Sequence, residues 1–254
     1  MSKYEKDILN TVNQQGRISV TELARILDVS DQTIRRIVKP MVEDGRIAKV
    51  HGALVSTQDV LDPPFTARMT TNRSAKVAIA NTMATLIPDG ASVAIDTGST
   101  SGFVAQALRD RKDLTVVTNS AFIAASLAMI EGNRVFMAGT QLRNHDGAAF
   151  DKAAYDVIAG FTADVAILSA SLVHPKRGFL VFDQCERDMA AAMRGIADTC
   201  LVAVDSTKFD AATAKPALRL PDMSGEDILV TDLPPAPEFD NVIAPGRVMI
   251  ADSA

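Results

Sequence analysis

Between residues 20 and 50 the chain sets out hydroxyls, an amide and cations at spacings suited to a polyanion. Gln32, Thr33, Arg35, Arg36 and Lys39 fall on the polar side of a segment in which Ile34, Val38 and Met41 recur at helical spacing. Thr21 and Ser30 stand at the starts of two such segments and can cap them. Arg46, Lys49 and His51 follow in a short alternating stretch. Arginine and lysine grip phosphates, and glutamine, threonine and arginine also read base edges in a major groove. These residues imply a surface for duplex DNA, against the plainer reading of a solvated basic helix.

A second set begins at Asp96, where Asp96, Gly98, Ser99 and Thr100 precede an apolar helical stretch over 103–108. Gly98 lets the backbone turn closely, and hydroxyls and amides at the start of a helix bind phosphate. Thr118, Asn119 and Ser120 open another such stretch, Gly139 and Arg143 follow, and Asp205 stands three residues before Lys208. A small anion, such as a sugar phosphate, fits that set.

The elements that must carry the first set are legible. Leu23, Ala24, Ile26 and Leu27 give one short amphipathic helix, Asp28 to Ser30 break it, and Gly45 ends the next. Residues 46–55 alternate as a basic hairpin, and Ile8, Leu9 and Val12 supply a third helix for a core. The expectation is a winged helix-turn-helix over 1–57. A linker over 58–73, marked by Pro63 and Pro64, follows it. Residues 74–254 alternate helical stretches with β-branched runs at 92–95, 115–117, 134–137, 165–168, 201–204 and 228–230. That alternation predicts an open, mostly parallel α/β domain, whose strand ends form a ligand crevice.

With 254 residues, 47% of them hydrophobic, the chain can bury two cores. Its net charge of -5 is unevenly divided: residues 1–57 hold nine Lys plus Arg against seven Asp plus Glu, leaving -7 for the rest. DNA affinity then depends on local placement and on paired heads, which predicts a homodimer or homotetramer. The first six residues are charged, unlike a signal peptide, and no apolar run reaches spanning length, so a cytoplasmic protein without membrane contact is expected. Cys185 and Cys200 lie in no metal-binding or redox pair and read as buried packing residues. No metal site, catalytic residue or cofactor is expected.

The strings Val29-Ser-Asp-Gln-Thr-Ile-Arg-Arg36, Val50-His-Gly-Ala53, Asp96-Thr-Gly-Ser-Thr100, Thr118-Asn-Ser120 and Asp205-Ser-Thr-Lys-Phe209 occur in an order that resembles the DeoR family of bacterial regulators. The resemblance covers nearly the whole chain. It implies a sensor domain similar to ribose-5-phosphate isomerase and to glucosamine-phosphate deaminase. It further implies repression of a carbohydrate-catabolic operon, relieved by a phosphorylated sugar or polyol. Asp96, Gly98, Ser99 and Thr100 would then form the phosphate loop, with Thr118, Asn119, Ser120 and Lys208 around the sugar. Four positions depart from the family pattern. Ile37 replaces an acidic residue, Pro40 interrupts the second helix, Thr140 follows Gly139 in place of a second glycine, and Ala190 and Ala191 replace a Lys-Arg pair. Proline removes one backbone bond, so the helix is expected to bend or stop near Lys39.

Two other functions remain open on the residues alone. An isomerase-like enzyme could use Asp96, Asp205 and Lys208, although His145, His174 and Asp146 fall in loops and form no recognisable catalytic string. An activator would share every feature of a repressor, because sequence does not fix the sign of regulation.

Overall fold

The computed structural model describes residues 3–15, 17–44, 46–50, 53–56, 63–212, 216–244 and 246–252. The chain divides into two compact units, one ending at Arg68 and one beginning at Met69.

In the first unit the elements run α1 (Lys3–Gln15), β1 (Arg17–Ser19), α2 (Val20–Ile26), α3 (Asp31–Glu43), β2 (Ile47–Val50), β3 (Ala53–Ser56) and α4 (Phe65–Arg68). Ile8 and Val12 of α1, Leu23 of α2, and Ile34, Val38 and Met41 of α3 close one apolar core with Ile47 and Leu54 of the wing. The wing strands β2 and β3 pair antiparallel, and β1, which periodicity does not reveal, pairs on the other side of β3. Asp28 makes the turn between α2 and α3 at φ 52, a left-handed conformation that aspartate tolerates. The expected linker differs in part, because α4 lies within 58–73 and buries Phe65 and Ala67.

Pro40 does not end α3. The helix continues to Glu43, with the Asp44 amide donating to the Pro40 carbonyl at 2.8 Å. Proline removes only its own amide, and on either side of it Val38 and Met41 stay buried, so packing holds the axis through the gap. Ile37 is half-buried against the same core, which explains an apolar residue there.

The second unit contains α5 (Arg73–Thr85), β4 (Ser92–Ile95), α6 (Ser99–Ala107), β5 (Thr115–Thr118), α7 (Ala121–Ala128), β6 (Arg134–Met137), α8 (Lys152–Ala159) and β7 (Ala163–Ser169). It continues through β8 (Leu172–His174), β9 (Gly178–Val181), α9 (Gln184–Gly195), β10 (Ala197–Ala203), β11 (Leu218–Arg219), β12 (Ile228–Thr231), α10 (Asp240–Ile243) and β13 (Arg247–Ile250). Seven strands form one parallel sheet in the order β13-β12-β10-β7-β4-β5-β6. Val93 and Ile95 face a core with α5, α6 and α7, whereas Ala94 faces a second core with α8 and α9. A sheet covered on both faces explains why its strands read as continuous apolar runs. β8, β9 and β11 form a separate antiparallel sheet.

From β4 the chain winds outward to β5 and β6, then returns to place β7 on the opposite side of β4. The winding therefore reverses between β4 and β7, and the turns that leave their carboxyl ends border the crevice where such sheets bind ligands.

Candidate DNA-contacting surface and anion site

On the head, Ser30 caps α3 by accepting the Thr33 amide at 3.2 Å, and its hydroxyl lies 2.9 Å from the Thr33 hydroxyl. Thr21 is not the cap of α2. Ser19 is, accepting the Glu22 amide, and Thr21 instead donates to Asp31 at 2.9 Å. Gln32, Arg35, Arg36 and Lys39 are exposed on α3, and Lys49 is exposed on β2. Arg35, Lys39 and Lys49 border a groove floored by Val20, Val38 and Leu54. Arg46 departs from the expected role as a wing cation: it is half-buried and paired with Glu5 of α1 at 3.3 Å. His51 lies outside the described residues. The outward set on α3 and β2 can neutralise phosphates while Gln32 and the arginines reach base edges.

In the second unit Asp96 organises the turn after β4. Its Oδ2 accepts the Ser169 amide at 2.6 Å and the Ser169 hydroxyl at 3.0 Å, while Oδ1 accepts the Gly98 amide at 3.1 Å and the Ser101 hydroxyl. Burial pushes the Asp96 carboxyl above the usual carboxylate range, although every one of these bonds works the other way. Asp96 thus clamps β4 to β7 across the winding reversal and has little left for a guest. Gly98 is required by that clamp, since a Cβ there would lie 1.7 Å from the Ser169 Oγ.

Gly98 precedes α6 without a side-chain cap, and Ser99, Thr100 and Ser101 in the first turn are all buried. Lys76, on α5, reaches this point with its Nζ 3.1 Å from the Ser99 Oγ and only 3% exposure. Nothing in the sequence around Lys76 singles it out, because its burial depends on a turn 23 residues away. One helical turn earlier, at the N-cap of α5, Asn72 donates to Asp205 at 3.1 Å and to Thr207 at 2.8 Å. Helix α5 therefore joins the turn after β4 to the turn after β10. Lys208 is half-buried on that second turn.

Among the described residues, five buried side-chain atoms at the carboxyl ends of the strands have no hydrogen-bond partner: Thr97 Oγ1, Asn119 Oδ1, Ser120 Oγ, Asp205 Oδ2 and Thr231 Oγ1. Buried polar groups are normally paired, so each of these is open to a guest or to water. Thr118 is committed, donating to the Ile95 carbonyl at 2.7 Å and accepting the Ser120 amide. The Asn119 amide donates to the Ala149 carbonyl at 2.9 Å, which leaves its oxygen as the open group.

Gly139 and Arg143 are used differently from expectation. Gly139 has φ +101, and a Cβ there would lie 2.3 Å from the Ala149 Cβ, so it serves close packing. Arg143 is held by Asp146, by Asp183 at 2.7 Å and by Glu186 at 2.7 Å, and it lies over the Phe150 ring at 4.5 Å. Burial works to lower its pKa, but the pairs with Asp146 and Glu186 outweigh that and hold it above the ordinary guanidinium value. Three carboxylates leave this guanidinium no surplus charge for an anion. Cys185 is likewise only half-buried, whereas Cys200 is buried and its thiol is pushed up by that burial.

These features define the class: a helix-turn-helix head with outward cations, joined to an α/β unit with buried polar groups at its strand ends, is a DNA-binding regulator with a sensor. Residues 5–60 match the DeoR-like helix-turn-helix domain and residues 71–233 match the DeoR C terminal sensor domain. The chain belongs to the DeoR family of transcriptional regulators. It is 31% identical to the HTH-type transcriptional repressor CsqR of Escherichia coli K12 over 230 residues, covering 90% of this chain and 87% of CsqR. Its identity to the glycerol-3-phosphate regulon repressor of the same organism is also 31%, over 96% of this chain and 95% of that one. The regulator of that name in Haemophilus influenzae is 34% identical, over 92% and 90%. Among solved structures, a ribose 5-phosphate isomerase from Methanocaldococcus jannaschii aligns over 55% of this chain and 56% of that one, with 16% identity and a TM-score of 0.42. The sequence relatives are repressors, and the family is regulatory rather than enzymatic. Among the described residues no helix is long and apolar enough to cross a membrane, and no cluster of His, Cys, Asp and Glu could hold a metal ion.

Proposed function

We propose that this chain represses a carbohydrate-catabolic operon in the cytoplasm and leaves its operator when a phosphorylated sugar or polyol enters the crevice. One observation carries the reading. Five buried polar atoms without a hydrogen-bond partner lie at the carboxyl ends of β4, β5, β10 and β12, and α6 starts after β4 without a side-chain cap. The phosphate meets the amides of the Asp96–Thr100 turn, which carry partial positive charge from the helix dipole. The hydroxyls of the guest satisfy Asp205 Oδ2 and Asn119 Oδ1, which can only accept. Two or four heads, in a homodimer or homotetramer, read paired half-sites. Relatives named as repressors of a glycerol-3-phosphate regulon support both the sign of regulation and a phosphate ester as effector.

A thermal-shift screen of sugar and polyol phosphates tests this, because a guest that binds only the folded protein must raise its Tm. Replacing Ser99 with aspartate adds a second test. A carboxylate beside Lys76 occupies the phosphate position, so Ser99→Asp should abolish the shift while leaving DNA binding intact. A variant that still responds at the parent's concentration would remove the loop assignment.

A further inference from the structure

We propose that the outer edge of β13 is the seam on which two copies of this chain pair, an assignment that rests on the paired-head reading above. β13 ends the seven-strand sheet, and among the described residues no strand pairs with its outer side. Its register with β12 is unbroken over Arg247–Ile250, so no bulge turns the edge away. The Arg247 amide donates to the Asp227 carbonyl and the Ala251 amide to the Thr231 carbonyl, each at 2.8 Å. Backbone groups alternate sides along a strand, so those of Met249 also face β12, and the amides and carbonyls of Val248 and Ile250 point outward. The side chains of Val248 and Ile250 are 41% and 40% exposed, an apolar pair beside open ladder groups. At the other edge of the sheet, only Arg134 of β6 is exposed, and the Phe161 ring covers Phe136 at 4.9 Å.

The residues of β13 select a second copy as the occupant. A two-fold axis through Met249 lays Val248 against the partner's Ile250, and Ile250 against the partner's Val248. Both are hydrogen-bonded pairs, each exchanging its N–H and C=O groups, because the groups that meet are the ones facing outward. Arg247 opens the strand and Asp252 follows it, so antiparallel pairing sets the Arg247 end of each copy beside the Asp252 end of the other, whereas parallel pairing would stack like charges. Pairing about Val248 or Ile250 instead would set an apolar side chain against Gly246 or Asp252, so the pattern fixes the register as well as the direction.

The test is the assembly state of the full chain, read by sedimentation velocity over a concentration series for the parent, Val248→Lys, Ile250→Asp and the double variant that carries both. Thermal unfolding is the control on folding. The parent should assemble with an even number of copies. Each single variant should weaken that assembly at least tenfold, because a charge without a partner enters the seam. The double variant should recover most of the loss, since the two-fold axis sets each new ammonium against a new carboxylate of the partner. Should either single variant fail to fold, Ile250→Thr, which trims the contact without adding charge, decides the matter by weakening assembly threefold or more. A parent that assembles while the folded single variants match it within twofold, or a double variant no better than the singles, overturns the seam and leaves the paired-head reading standing. A parent that stays monomeric at every concentration overturns both.

Discussion

Replacing Gly98 with alanine should destabilise the sensor unit by about 2.5–6 kcal/mol, through a collision rather than through lost backbone freedom. The Gly98 backbone is extended at φ -65, which alanine adopts freely, so strain is not the cause. The added methyl would sit 1.7 Å from Ser169 Oγ and 2.7 Å from Ser169 Cβ. The hydroxyl can rotate away only by giving up its 3.0 Å bond to Asp96, and the Cβ requires β7 to move. Overpacking costs about 1–3 kcal/mol, and a lost hydrogen bond to a charged group about 1.5–3 kcal/mol. The assay is urea denaturation of four chains: parent, Gly98→Ala, Ser169→Gly and the double variant. Removing the Ser169 side chain removes the obstacle, so Gly98→Ala should cost far less in that background, with a coupling of about 2 kcal/mol. Additivity within about 0.5 kcal/mol would refute the clamp.

Ser30→Ala removes the cap of α3 and should lower head stability by about 1 kcal/mol, read as a lower Tm of the head transition and weaker operator binding. Arg35→Ala should cost about 1–3 kcal/mol of operator affinity and relax specificity at one base if the residue reads a base. A phosphate contact would mainly lower the salt slope by about one, and neither effect would remove α3 as the recognition helix. Arg143→Ala strands the buried carboxylate of Asp146, so it should destabilise the sensor by about 3–5 kcal/mol in denaturant, whereas a stable variant with a selective loss of effector binding would contradict the acidic cluster described for it. Asp151, which accepts from the Thr140 hydroxyl and from the amides of Thr140, Gln141 and Ala154, has its pKa lowered by those bonds. Its contribution to stability is therefore present above the ordinary carboxylate range and is lost as pH falls below it. Asp151→Asn should lower Tm at pH 7 and converge on the parent in acid.

What the sequence disclosed and what it hid follow from the range of the interactions involved. Caps and periodicities are local, so the Ser30 cap that starts α3 and the strands at 92–95 and 134–137 are readable to the residue, whereas the end of α3, expected near Lys39, is carried on to Glu43 by packing. Thr21 and Ser19 are equally good capping hydroxyls two residues apart, and only the fold selects Ser19. The strands β8 and β11 are three and two residues long, too short a pattern to see, and β9 pairs with those two alone rather than with the main sheet. Site chemistry divides the same way. The turn at Asp96 announced itself by composition, but the neutralisation of Arg143 depends on Asp183 and Glu186, some forty residues away. Lys76 resembled any lysine on a helix until the turn at Ser99 closed over it.

The account stands on a free-energy link between the α3 surface and the crevice beyond β4. Its most direct measurement is fluorescence anisotropy with an operator duplex selected from random DNA, titrated with and without the ester that raises the Tm of the chain. A coupling of about 1–3 kcal/mol predicts that the ester weakens operator binding roughly 5- to 150-fold, and that operator DNA weakens ester binding by the same factor. An operator affinity that stays constant while the ester saturates the crevice would contradict the account.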